Sequence, residues 1–153
     1  MPTRDDAPVV AALGPEDRAR WRQLAEGYKT FYATVLAEAD YERAWQRLVA
    51  ADAVHALGAR VDGMLVGIAH YFFHGGVWTS EVCHLQDLFV DPAVRGRGVA
   101  RALIAGVGDV ARARGAPRLY WHTRADNATA RALYDKVARH DGFIRYDIAL
   151  AAP

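Results

Sequence analysis

At 153 residues the chain has the length of one domain, long enough to bury about two-thirds of the surface it exposes when unfolded. Apolar residues at 52% and charged residues at 24% exclude a disordered polymer, and 19 basic against 18 acidic residues, a formal charge of +1, exclude a general polyanion binder. The lone Cys83 excludes an intrachain disulfide and reads as a small buried hydrophobe; no apolar run approaches the ~20 residues of a membrane span, and Met1-Pro2-Thr3-Arg4-Asp5-Asp6 lacks a signal-peptide core, so a cytoplasmic location is expected.

Residues 1–7 read as a loose terminus and 9–13 as a first strand. Gly14-Pro15-Glu16-Asp17 is a helix start with Pro at the first helical position. Trp21, Leu24, Tyr28, Phe31, Tyr32 and Val35 then follow at three- and four-residue steps, one apolar helix face. A second short helix carries Tyr41, Ala44, Trp45 and Leu48. Residues 54–59 and 64–73 read as strands about Val61-Asp62-Gly63, where Asp-Gly signals a tight hairpin. A long strand is predicted over 77–90 and a helix over 99–114, with Leu103, Ile104, Val107 and Val110 inward. A strand at 118–123, a helix at 127–139 and a final strand at 143–150 complete the order. Early helices, an antiparallel meander and then strand–helix–strand–helix–strand predict an α/β domain spanning 1–153, a mixed and mostly antiparallel sheet flanked by helices on both faces.

The most informative stretch is Leu88-Phe89-Val90-Asp91-Pro92-Ala93-Val94-Arg95-Gly96-Arg97-Gly98-Val99-Ala100-Arg101. It reads as a strand, a corner, a Gly-rich basic turn and a helix start, which together make an anion site from backbone N–H groups and the positive end of a helix dipole. Arg95, Arg97, Arg101, Arg112 and Arg114 cluster on or around it. A Walker A loop would need Lys followed by Ser or Thr after its second Gly. A dinucleotide loop would need a third Gly where Arg101 stands. An Arg-x-x-Gly-x-Gly/Ala loop is satisfied by Arg95, Gly98 and Ala100, and an ordinary strand–turn–helix corner is the plain alternative.

A second segment, Asp126-Asn127-Ala128-Thr129-Ala130-Arg131-Ala132-Leu133-Tyr134, follows the strand ending at Thr123. Asp126 or Asn127 can cap the helix. Asn127 and Tyr134 are two turns apart, about 10 Å along its axis and on nearly the same side.

The Arg95–Gly98–Ala100 loop is similar to the pyrophosphate loop of the GNAT superfamily of acetyl-CoA-dependent N-acetyltransferases. Asn127, Ala130, Leu133 and Tyr134 resemble its late Asn-x-x-Ala-x-x-Leu-Tyr pattern position by position. The resemblance implies a GNAT-type sheet and acetyl-CoA held by the Leu88, Phe89 and Val90 backbones, by Arg95, Gly96, Arg97, Gly98, Val99 and Ala100, and by Asn127. It implies Tyr134 as the acid that protonates the departing thiolate, and family habit suggests a dimer. A thiol near pKa 8.5 and a phenol near 10 make that transfer downhill. An alkylamine of pKa ~10.4 is only about a thousandth neutral at pH 7.4, a cost of roughly 4 kcal/mol, so a base is needed as well.

The base position of relatives falls on Gln86, which cannot take a proton. Period-2 alternation places His84, Gln86 and Leu88 on one face of this strand and Cys83, Leu85, Asp87 and Phe89 on the other, which makes His84 the substitute base. Asp87 is a candidate for the substrate ammonium or for a backbone anchor, and Glu81 a weaker one. His70 and His74 form a possible metal pair without a third ligand at suitable spacing, so no metal is expected. The early helices offer Tyr32 and other aromatics beside acidic residues, a composition suited to a cationic amine. The Leu85-Gln86-Asp87-Leu88-Phe89-Val90 strand and the Asp141-Gly142-Phe143-Ile144-Arg145-Tyr146 ending look most like those of relatives acting on polyamines or lysine-like amines. The resemblance implies a small acceptor of that type, with no nucleic acid or membrane partner. A protein lysine or N-terminal acceptor, or a non-catalytic acyl-CoA-binding module, is the alternative.

Overall fold

In the computed structural model residues 7–151 are described; of the expected terminus at 1–7 only Ala7, an exposed bend, falls among them. The chain divides into two units, Met1–His122 and Thr123–Pro153. The first holds β1 (Val9–Ala12), a one-turn 3-10 helix, α1 (Arg18–Phe31), α2 (Glu38–Ala50), β2 (His55–Val61), β3 (Met64–His74), β4 (Val82–Val90), α3 (Val99–Arg114) and β5 (Leu119–Tyr120). Its sheet runs in the order β1-β2-β3-β4-β5, antiparallel except for the β4–β5 pair, which is parallel.

Local chemistry explains most of these limits. Helix α1 stops at Phe31 because Ala33 turns to φ +53° and the Thr34 N–H reaches back to the Lys29 carbonyl, a helix-ending geometry that leaves Val35 exposed. Asp62 and Gly63 both take positive φ, +51° and +76°, the two-residue hairpin turn expected of Asp-Gly. The strand predicted from 77 begins at Val82, because a loop closed by the Gly76 N–H on the Thr79 carbonyl leaves Val77 and Trp78 in solvent.

Two cores flank the sheet. Trp21, Leu24 and Ala25 of α1 and Tyr41 and Trp45 of α2 pack on Leu65 and Ile68 of β3. On the opposite face α3 buries Val99, Leu103, Ile104, Val107 and Ala111. Its N-terminal turn rests against Gly67, where a Cβ would lie 2.8 Å from Val99 Cγ1, 3.0 Å from Leu103 Cδ1 and 3.3 Å from the Phe89 carbonyl oxygen. Gly67→Ala is therefore expected to lower stability by roughly 1–3 kcal/mol through overpacking, measured as a lower urea midpoint at unchanged m-value.

The β3–β4 register corrects the alternation expected of β4. His70 pairs with Asp87 but Tyr71 pairs with Leu85, so Gln86 is an extra residue in a β-bulge. The bulge swaps the faces beyond it. His84 and Asp87, expected on opposite faces, both lie on the side of His70 and Phe72, which faces α1. Gln86 is left exposed.

The second unit contains α4 (Ala128–Val137) and an extended segment after it. The final strand expected at 143–150 does not form. Phe143 and Leu150 are 86% and 94% exposed, and within this unit no other strand offers a ladder to complete the alternating pattern. No helix among the described residues is long and apolar enough to cross a membrane.

Candidate active site

Strands β4 and β5 pair at only two positions, Cys83 with Leu119 and His84 with Tyr120. Beyond them β4 runs on to Val90, and among the described residues no strand pairs with Leu88, Phe89 and Val90 on that side. Sequence predicts β5 over 118–123; it is cut to two residues by this divergence.

The open edge leads into the Gly-rich turn. The Asp91 N–H binds the Val66 carbonyl at 2.8 Å, and Asp91 Oδ1 accepts from the Ala93 N–H at 2.9 Å. The second Asp91 oxygen accepts from Arg20 of α1, whose Nε donates to the Leu65 carbonyl at 2.9 Å. The Ala93 amide and then the Arg20 guanidinium hold the Asp91 carboxyl below the usual carboxylate range. Gly96 and Gly98 follow at φ +82° and +77°, a region L-residues rarely enter. A Cβ at either would meet no protein atom within 4 Å, so the space before them is open. Gly98 is the N-cap of α3, and the first amides of that helix lack intrahelical acceptors and point into the same space. Arg95 and Arg97 are exposed beside it. Arg112 and Arg114, expected near the loop, are carried about 24 Å away to the far end of the 16-residue helix, where they suit the negative end of its dipole.

The bulge gathers a polar row on the α1 face. The His84 ring lies 4.6 Å from that of Tyr120, 5.0 Å from Phe72 and 5.2 Å from His122, and its Nδ1 is buried without a hydrogen-bond partner. Burial, and next the charge of His122, push its pKa down from 6.5, against the raising pull of the Tyr120 backbone and Asp87. His74 donates from Nδ1 to the Gly75 carbonyl at 3.0 Å and meets the Tyr120 hydroxyl through Nε2 at 2.7 Å. Cys83, on the other face, is fully buried, which pushes its thiol up to about 11, as suits a packing residue.

Asp87 Oδ2 accepts from His70 Nδ1 at 2.9 Å, and Trp21 Nε1–H donates to His70 Nε2 at 2.9 Å. Burial raises the Asp87 carboxyl, but the hydrogen bond and charge of His70, then the Tyr28 hydrogen bond and the Lys29 charge, outweigh it, so it sits below the usual range. A depressed carboxyl contributes stability that is present above its unfolded pKa, near 4, and is lost as pH falls through the folded value. Tyr32 closes α1 and packs its ring 5.0 Å from Tyr28, one step from Asp87. Glu81 does not join this group. Arg114 takes it up on the α3 side through two hydrogen bonds of 2.7 and 2.8 Å. Trp21, His70, Tyr28 and Tyr120 carry no local signal for these contacts, which join residues up to 49 positions apart.

In the second unit Asn127 caps α4, accepting from the Ala130 N–H at 3.4 Å and donating to Thr123 Oγ1 at 3.2 Å. Tyr134 stands two turns further along the same helix and is half-buried.

An open groove of about 620 Å³ lies at the loop end of the first unit, lined by Arg20, Gly27, Phe31, Phe89, Asp91 and Arg95, and does not extend over His84.

The mixed sheet thus leads through β4 into a turn with two positive-φ glycines, the second of them the N-cap of α3. Residues 20–138 match the acetyltransferase (GNAT) family, and the chain belongs to that family and is an N-acetyltransferase. It is 34% identical over 139 residues to the D-amino-acid N-acetyltransferase HPA3 of Saccharomyces cerevisiae, covering 88% of this chain and 86% of that protein. A thialysine N-epsilon-acetyltransferase of Caenorhabditis elegans is 33% identical over 85 residues, 56% of this chain and 53% of the relative. In fold, the chain resembles the aminoglycoside N-acetyltransferase AAC(6')-Iy solved in complex with CoA, with TM-score 0.84 at 18% identity over 99% of this chain and 100% of that one.

Proposed function

We propose that this enzyme moves an acetyl group from acetyl-CoA to a small primary amine of lysine or polyamine type by direct attack. The observation that carries the reading is the divergence of β4 from β5 into a loop whose two positive-φ glycines leave open space before a helix N-terminus. Bound acetyl-CoA supplies the acetyl thioester. The Gly96 to Ala100 amides, with Arg95 and Arg97, suit its diphosphate, and the free edge at Leu88, Phe89 and Val90 suits an amide-bearing arm and a polarised carbonyl. Asn127 is assigned to the same arm by its motif.

Asp87, held as an anion, pairs with the acceptor's ammonium, and Tyr32 lines its approach. His84 takes the proton the amine must lose, directly or through water. Its buried unpartnered Nδ1 and depressed pKa keep it neutral and ready at pH 7. Tyr134 gives its phenolic proton to the departing sulfur as the carbon–sulfur bond breaks and the carbon–nitrogen bond forms. A small acceptor fits the named substrates of the relatives: D-amino acid, thialysine and aminoglycoside all present amines.

The direct experiment is thiol release from acetyl-CoA across a panel of D-lysine, thialysine, spermidine and an aminoglycoside. Amine-dependent release supports the proposal, whereas coenzyme A binding without release from any amine reduces the protein to a binding module. For His84, the active form is neutral, present above its pKa and lost as pH falls through it, so the acid limb of kcat/KM is expected below pH 6.5. His84→Ala should erase that limb and lower kcat/KM by roughly a hundredfold. A limb left in place would eliminate His84 as the base.

A further inference from the structure

The row of hydrogen bonds that ends on Asp87 contains a fixed direction. An indole N–H donates and cannot accept, so His70 Nε2, 2.9 Å from Trp21 Nε1, must present its lone pair. The only ring proton of His70 then sits on Nδ1, where it donates to Asp87 Oδ2 at 2.9 Å. A second proton on Nε2 would point at the indole N–H. The side chains involved are largely enclosed: Trp21 is 2% exposed, and the His70 and Asp87 side chains 14% and 19%.

We infer that Trp21 and His70 are positioning residues that keep Asp87 an uncompensated anion for the acceptor's ammonium. Resting on the reading of Asp87 proposed above, the inference concerns how the charge is kept. An aspartate beside a histidine ordinarily risks losing its charge to an imidazolium pair, which would leave little field for a cationic substrate. Here the indole blocks that second protonation, and the neutral ring orients the carboxylate without cancelling it. The other groups bearing on this pair are Tyr28, a neutral donor to Asp87, and Lys29, a more distant cation, both from α1, and His84 of β4, which shares the face and feels the Asp87 charge. Trp45 of α2 packs at 5.2 Å on Trp21 and carries no charge. Asp87 therefore remains the local negative centre.

Nitrogen-15 NMR of the whole protein at pH 7 reads the ring directly. The expected wild-type spectrum shows His70 neutral with its proton on Nδ1; a proton on Nε2, or on both nitrogens, would overturn the inference. In Trp21→Phe the ring should become doubly protonated, and the KM for thialysine should rise about tenfold while kcat holds. Adding His70→Asn, which keeps a donor toward Asp87 but cannot be charged, should return KM to within about threefold of wild type. A doubly protonated His70 with unchanged KM would also overturn it. If Trp21→Phe does not fold, the wild-type spectrum still decides. Asp87→Asn separates the two readings: unchanged KM in that variant sinks the ammonium-binding role of Asp87, whatever tautomer His70 shows.

Discussion

Gly98→Val is expected to weaken coenzyme A binding at least a hundredfold, about 2.7 kcal/mol in binding free energy, measured by calorimetric titration. Two effects add. Gly98 stands at φ +77°, and a β-branched residue held in that region costs roughly 1–3 kcal/mol, so the turn relaxes and its amides scatter. Any side chain that does fit projects into the open space where the diphosphate is proposed to sit, since no protein atom lies within 4 Å of that Cβ. Gly115→Val is the matched control. Gly115 caps the other end of α3 at φ +86°, so it carries the same backbone penalty with no part in the loop. The control should lose comparable stability and keep its affinity. Normal binding by Gly98→Val would remove the loop from the site.

Tyr134→Phe is expected to lower kcat at least tenfold, a barrier increase of about 1.4 kcal/mol, with coenzyme A affinity nearly unchanged. The substitution deletes one hydroxyl from a half-buried ring on α4 and leaves the helix intact. If the phenol supplies the proton to the leaving thiolate, the loss appears in turnover and not in binding. The effect should shrink with a thioester whose leaving thiol is more acidic, because such a thiolate needs less protonation. Unchanged turnover with acetyl-CoA would exclude Tyr134 from the proton transfer.

The two outcomes address different halves of the mechanism. Gly98 tests whether this loop holds the donor; Tyr134 tests what happens once the donor is held. A protein whose loop holds coenzyme A and which never transfers the acyl group would be an acyl-CoA binder.

Features written in short stretches of chain are legible in the order of residues. The Arg95–Gly98–Ala100 turn, the capping Asn127, the Asp62-Gly63 hairpin and the Leu103, Ile104 and Val107 face of α3 (where Ala111, not the expected Val110, is the next buried residue) each depend on neighbours within a few residues, where backbone preference and helical period dictate the outcome. The β4 faces are illegible for the opposite reason. Alternation along one strand assumes an unbroken register, and Gln86 breaks it only because β3 pairs with Asp87 on one side and Leu85 on the other. The apolar alternation at 143–150 misleads in a similar way, since a strand exists through its partner's hydrogen bonds and not by its own pattern.

By itself, then, the order of residues determined the turn of two positive-φ glycines, the helix that launches from it and the family to which they point. These are encoded in dihedral preferences and spacing within one segment. Tertiary structure alone decided that His84 and Asp87 share a face, that Glu81 is diverted to Arg114, and that a tryptophan 49 residues away sets the proton on His70. Those outcomes depend on long-range pairing and burial, which act between segments that carry no local mark of each other.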